Sequence, residues 1–265
     1  MNDAMDGRFD ELLREARDRP LVGWDLSYGG RITTTATPWN FEQVVERHAR
    51  RSPDMLDMGT GGGEWLSRLA FRPPRTVATE GWAPNVAVAR ERLAPLGVEV
   101  VEVEGAEDNA LQDDDSEEPA RLPFADASFH LVVNRHESFV ASEVRRILAT
   151  GGRFVTQQVA SDFNADCHEL LGLPMPELPR WKLDTAVAQL ERAGLAVEES
   201  AEGAELIAFA DIGAFAWYLK QVPYVCPAFG IDECRNALER QHRRMENGEP
   251  LTMRQKLFWL EAVRR

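Results

Sequence analysis

The chain has 265 residues, 44% of them hydrophobic, which is enough for a real core in one α/β domain with additions. Its net charge of −14 argues against a dedicated nucleic-acid surface, which must neutralise phosphates with Lys and Arg. The same charge argues against an anionic membrane surface, and no run approaches the ~20 apolar residues of a membrane helix.

Residues 5–18 carry Phe9, Leu12, Leu13 and Ala16 at helical spacing, and Pro20 ends that helix. Residues 21–38, rich in Gly, Thr and aromatics, read as an ordered loop, and 39–51 as a short helix. Met55–Met58 is a short apolar strand running into Gly59–Gly63, with a helix through Leu66 and Leu69. Thr76–Glu80 is a second strand, and Pro84 suits the first turn of the helix after it. Val98–Val103 is a third strand. The acid-rich segment 104–121 reads as a loop insertion, with the run 113–118 open to solvent.

Phe129–Asn134 is a fourth strand, followed by a helix through Val140, Val144 and Leu148 that Gly151-Gly152 stops. Arg153–Val159 is a fifth strand. The Pro-rich stretch 173–179 is a connection or lid. A helix over 183–190, strands near 195–210, an apolar helix from Ile212 to Leu219, a helix over 230–246 and a last strand near 251–262 complete the chain. Strand and helix alternate from 54 to 194, which predicts a parallel sheet with helices on both faces.

The strongest local signal is Asp57-Met58-Gly59-Thr60-Gly61-Gly62-Gly63-Glu64. A Gly-rich turn between strand and helix lets bare backbone approach a ligand beyond the strand ends. A dinucleotide site wants a third Gly where Glu64 stands, and a carboxylate there opposes a pyrophosphate. Asp57 suits instead a ligand with positive charge, such as an amino or sulfonium group. Glu80 ends the next strand, nineteen residues after Gly61, where an acid accepts hydrogen bonds from ribose hydroxyls. A plain Gly turn with a capping acid, and a surface Glu, are the competing readings.

Residues Met55–Glu64 resemble motif I of class I S-adenosylmethionine-dependent methyltransferases. Leu122-Pro123-Phe124-Ala125-Asp126-Ala127-Ser128-Phe129-His130-Leu131-Val132-Val133 is similar to the family's segment along its fourth strand, with His130 in place of an Asp. Arg145–Phe154, with Gly151-Gly152, is similar to its segment into the fifth strand. The set looks most like the ubiquinone/menaquinone-biosynthesis type. The resemblance implies a Rossmann-like α/β fold: a mostly parallel seven-stranded sheet with helices on both faces and an antiparallel last strand. N-terminal helices and a helical insertion before the last strand would be additions. It implies an N-terminal helical cap over 1–52 and a methyltransferase domain over 53–265. The cofactor half would be 53–160, with acceptor-side additions over 161–250.

The resemblance also implies S-adenosylmethionine as cofactor. Asp57, Gly59, Thr60 and Gly61 would hold its methionine end, Glu80 with Gly81 its ribose, and Trp82 its adenine. The place of the family's adenine-binding acid falls at Ala106, with Glu107 and Asp108 following. Asn134-Arg135-His136-Glu137 follows the fourth strand, where this fold sets residues between cofactor and acceptor. His136 is a candidate base, since His titrates in a useful range, with Glu137 beside it. The alternative is a polar loop tying the sheet to the next helix. Trp24, Tyr28, Trp39, Arg135 and Tyr218 are candidates for the acceptor pocket; the aromatics among them are alternatively core. His48, His168 and His242 lack companion patterns and read as structural.

A small-molecule methyltransferase is the leading expectation. The alternatives are an RNA base methyltransferase, a nicotinamide-dependent oxidoreductase, and a cofactor-binding sensor or accessory protein without transfer activity. Cys167, Cys226 and Cys234 form no Cys-x-x-Cys pair and read as reduced thiols, with no metal site expected. The polar, acidic start has no apolar signal region, so a cytoplasmic location is expected.

Overall fold

The computed structural model describes residues 2–109, 111–112, 121–161, 165–175, 177 and 181–265, with side chains from residue 7 onward. Eight strands form one sheet: β1 (Ile32–Thr34), β2 (Asp54–Met58), β3 (Arg75–Glu80), β4 (Glu99–Glu102), β5 (Phe129–Arg135), β6 (Leu148–Val159), β7 (Ala196–Phe209) and β8 (Leu251–Val263). Their order across the sheet is β1-β7-β8-β6-β5-β2-β3-β4. Strands β2 to β6 pair in parallel, and β8 inserts antiparallel between β6 and β7. This is the expected mostly parallel, seven-strand arrangement. The short β1, from the segment expected to be loop, adds an eighth strand at the edge of β7.

The alternating pattern has a direct physical outcome. All five residues of β2 are buried, because helices cover both faces of the sheet. Leu56, Met58, Val132 and Phe154 join one apolar layer, which includes Ala186 and Leu190 of α7 (Leu183–Arg192). Met55, Ala78, Leu131, Val133 and Val155 join the other, with residues of α2 (Phe41–Ala49), α3 (Glu64–Arg68) and α4 (Ala83–Leu93). Parallel strands end on the same side, so the residues after β2, β3 and β5 are gathered at one rim.

Two boundaries differ from expectation. The helix before β6, α5 (Ala141–Ile147), ends before the glycines. Gly151 and Gly152 lie inside β6 and exchange backbone hydrogen bonds with Arg264, so they shape the start of pairing rather than stop a helix. The region 195–210 is one continuous strand held along β8. The acidic run 113–118 lies outside the described residues, as do residues 176, 178 and 179 of the Pro-rich stretch. No helix among the described residues is long and apolar enough to cross a membrane.

A third apolar cluster joins α1 (Asn2–Asp18) to α8 (Ile212–Gln221), with α6 (Ala165–Leu171) and α9 (Arg235–Glu246) alongside. Arg31 ties this region together. Its guanidinium donates two hydrogen bonds to Asp211, each 2.7 Å, and two to Glu15, each 2.8 Å. Asp211 also caps α8 by accepting from the backbone of Ala214. The Tyr28 ring lies between Arg19 and Arg31, with both guanidinium carbons 4.4 Å from its centroid. These bonds order a segment that has little regular structure of its own. Arg31→Ala is therefore expected to cost about 2 kcal/mol, the scale of hydrogen bonds to charged groups. Urea unfolding checks this, and an unchanged midpoint would remove Arg31 from this role.

Candidate functional site

The rim of the sheet opens into a cleft of about 790 Å³. Asp57, at the end of β2, is buried and lines it, followed by Gly59, Thr60 and Gly61 of the turn. Thr60 N–H donates to the Thr79 carbonyl at 2.9 Å, which fastens the turn to β3. Gly59 has φ of 68°, and a Cβ there would lie 2.4 Å from Glu137 Cγ. Only glycine satisfies both demands. Gly63, at φ 77°, starts α3 and would likewise strike Leu93.

Glu80 closes β3 in the same cleft. Its Oε1 accepts from the backbone N–H groups of Gly81 (3.0 Å) and Trp82 (2.8 Å), which aims the carboxylate. Burial pushes its proton affinity up, and those N–H groups oppose the rise. Asp57 is raised to about 7, chiefly by burial; the Thr60 hydroxyl and Arg135 oppose, and Glu80 adds to the rise. Glu137 is also raised to about 7, by burial and then by Glu80. Two acids near neutrality therefore stand in one cleft.

A smaller cavity of about 240 Å³ adjoins, sharing Gly59, Glu80 and Glu137 with the cleft. Gly81 and Ala106 line it. Trp82 lines the larger cleft and is 48% exposed, so its ring is free to receive a ligand. Glu107 lines neither cavity; its carbonyl accepts from Gln112, while Asp108 and Asn109 reach the cleft. Asn134 sits fully buried behind the rim, its Oδ1 accepting from Thr156 and Gln158.

His136 and Arg135 line the cleft. The Trp39 indole donates to Gln157 Oε1 at 2.8 Å, and Gln157 Nε2 lies 3.0 Å from His136 Nε2. An indole N–H can only donate, so it fixes the Gln157 amide orientation, and the amide N–H then donates to His136. His136 is thus held with its proton on Nδ1. Burial, with Arg135 adding to it, keeps the ring well below the usual histidine range, hence neutral.

Among the expected acceptor residues, Trp24 and Arg135 line the cleft. Trp39 reaches His136 only through Gln157. Tyr28 and Tyr218 are packed in the cluster of α1 and α8, against Trp217 and Phe209 respectively, and do not line the cleft. Cleft residues that sequence reasoning passed over are Asn85, Trp65 and Trp181. Asn85 is buried with an Oδ1 lacking a partner among the described residues. No spacing rule marks any of the three.

His130 pairs with Asp54 at the far end of the sheet, 3.1 Å between Nδ1 and Oδ2, remote from the cleft. His48 pairs with Glu261, and His242 packs on Phe9. Away from the cleft, Cys167, His168 and Cys226 are buried with ligand-type atoms within 4.8 Å of one another. Cys226 is far from the other two in sequence, so no spacing could display this grouping.

Residues 56–156 match a family described as a methyltransferase domain. Among solved structures, a methyltransferase-titled protein of Bacillus halodurans is 19% identical, with 84% of this chain and 98% of that one covered and a TM-score of 0.56. The YcgJ protein of Bacillus subtilis is 18% identical, with 85% and 98% covered and a TM-score of 0.56. A functionally unknown protein of Deinococcus radiodurans is 15% identical, with 98% and 100% covered and a TM-score of 0.51. At these identities the likenesses establish the fold. A search of curated proteins found no match. The matched segment runs from β2 into β6 and holds Asp57, the glycine turn, Glu80 and Glu137.

The two raised acids have a consequence for stability. Their folded-state values of about 7 lie above the ~4 of an unfolded carboxyl, so the folded chain holds more protons between those limits. The stability they contribute is therefore present at low pH and lost as pH rises through about 7. Thermal unfolding of the protein alone is expected to show this decline, and Asp57→Asn should flatten it. A decline that persists unchanged in both Asp57→Asn and Glu137→Gln would refute the assignment.

Proposed function

We propose that this chain transfers a methyl group from S-adenosylmethionine to an O, N or C atom of a small-molecule acceptor. One observation carries the reading. Asp57, the Gly59–Gly63 turn and Glu80 meet at adjoining strand ends, on a cleft wall that also presents Glu137.

The residues fit the cofactor. Asp57 is a buried carboxyl with no ion-pair partner among the described residues, suited to an amino group. Glu80 is aimed by two backbone N–H groups and keeps lone pairs for ribose hydroxyls. Gly59 and Gly61 offer bare backbone, while Trp82 and Ala106 offer an exposed ring and a small wall for the adenine. When bound, S-adenosylmethionine supplies a methyl carbon on a sulfonium leaving group.

The protein's task is then alignment and proton transfer. Glu137 lies against Gly59 between the two cavities, and its value near 7 suits a group that takes the acceptor's proton. His136 is a poorer base, because its Nε2 already accepts from Gln157. Its Nδ1–H orients the acceptor instead. Trp24, Trp65 and Trp181 line the cleft and keep water from the reacting atoms. The resemblance of 122–133 and 145–154 to the ubiquinone/menaquinone type, with a net charge of −14, favours a small acceptor over RNA. Three free, buried cysteines suit a reducing, cytoplasmic compartment.

A labelled methyl-transfer screen against metabolite extracts and RNA tests the function directly; transfer to RNA alone would overturn the small-molecule reading. Glu80→Ala is expected to weaken S-adenosylmethionine binding more than about tenfold by calorimetry, for loss of the paired ribose hydrogen bonds. Unchanged affinity would remove Glu80 from the site. Glu137→Gln is expected to slow turnover about 10²–10⁴-fold with cofactor affinity nearly intact. In the wild-type protein kcat/KM should rise with pH through about 7, as Glu137 ionises; a flat profile would exclude it as the base.

A further inference from the structure

Arg135 follows directly on the buried end of β5 and lines the cleft. No carboxylate lies within ion-pair distance of it among the described residues. Glu205, Asp57 and Glu42 act on it only from farther away, and Arg68 repels it. Arg68, in the last turn of α3, lines the same cleft and is likewise unpaired among the described residues. Several other part-buried arginines of this protein hold carboxylates, while Arg72 and Arg264 donate to backbone carbonyls. Arg31 holds Asp211 and Glu15, Arg146 holds Glu143, and Arg153 holds Glu261.

An enclosed guanidinium without an anion is costly, and a second cation on the same wall adds to the cost. The acids of the cleft do not relieve it. Glu64 is committed to Arg92 at 2.5 Å, and Glu80 is turned onto its own backbone N–H groups. Asp57 and Glu137, raised to about 7, carry only part of their charge at neutral pH. The cleft therefore presents a positive wall able to receive an anion from outside. The guanidinium fork fits a carboxylate with two parallel hydrogen bonds. Trp24 lines the cleft with 41% of its surface exposed and offers flat apolar area, while Trp65 and Trp181, almost fully buried, show only an edge to it.

We propose that the methyl acceptor is a small organic acid, its carboxylate held by Arg135 and Arg68 and its apolar body lying along the cleft's tryptophans. This rests on the methyl-transfer reading and names the acceptor's class. The test separates the two. Calorimetry with S-adenosylhomocysteine examines the cofactor site first. The protein saturated with S-adenosylhomocysteine is then titrated with matched pairs, such as benzoate and benzamide or phenylacetate and phenylacetamide. At least one acid is expected to bind ten or more times tighter than its amide (an order-of-magnitude expectation from a charged hydrogen-bonded pair, ~tenfold or more). Arg135→Gln should abolish that preference, and the exposed Arg68→Gln should reduce it. If no acid outbinds its amide in the wild-type protein, the proposal fails, whatever the variants do. It fails also if Arg135→Gln spares the preference and weakens S-adenosylhomocysteine instead, since Arg135 would then serve the cofactor's own carboxylate.

Discussion

Glu137 lies so close to the backbone of Gly59 that a Cβ there would sit 2.4 Å from its Cγ. The cleft depends on this contact. The parallel register of β2 and β5 sets Met58 beside Asn134, so the residues that follow each strand leave the sheet side by side. A side chain at Gly59 would drive the two exits apart. Its absence lets an acid from the second exit lie across the turn from the first. Glu80, at the end of β3, then completes a group of three carboxyls in a space shielded from water.

Such a group is expensive. Three acids and two unpaired guanidinium groups share a rim, where a rule of local consistency would place paired or apolar groups. Several charged groups elsewhere are well paired. The strands are buried on both faces, and Arg31 and Arg146 are fully engaged. The unpaired charges of the cleft stand where a ligand enters, which is the pattern expected of a site rather than a folding defect.

The candidate cofactor side is legible in the sequence because its residues are consecutive. Asp57 to Gly61, and Glu80 with Gly81, sit at strand ends whose apolar runs are plain, and parallel pairing brings neighbouring strand ends together. The acceptor side was less legible for the opposite reason. Tyr28, Trp39 and Tyr218 stand out in the sequence only as aromatics, and composition does not tell a cleft wall from a core. Tyr28 stacks on Trp217 instead, between two arginines. Trp181 and Asn85 come to the cleft through packing that no local period encodes. Strand β1 is three residues long and exists only because β7 lies beside it, so its own residues look like loop. Gly151-Gly152 resembled a helix stop because local propensity reads a Gly pair the same way whether a helix or a strand pair meets there.

The chain from Trp39 through Gln157 to His136 has one further meaning. Amides and imidazoles are reversible in sense: either can present a donor or an acceptor to the same neighbour by turning over or moving a proton. The indole is not reversible. Placed at the start of the chain, it gives every later bond one direction. The polarity that His136 offers to the cleft is therefore decided behind it, by a ring that does not line the cleft. A phenyl ring at position 39 would fill much of the same volume and leave that polarity undecided.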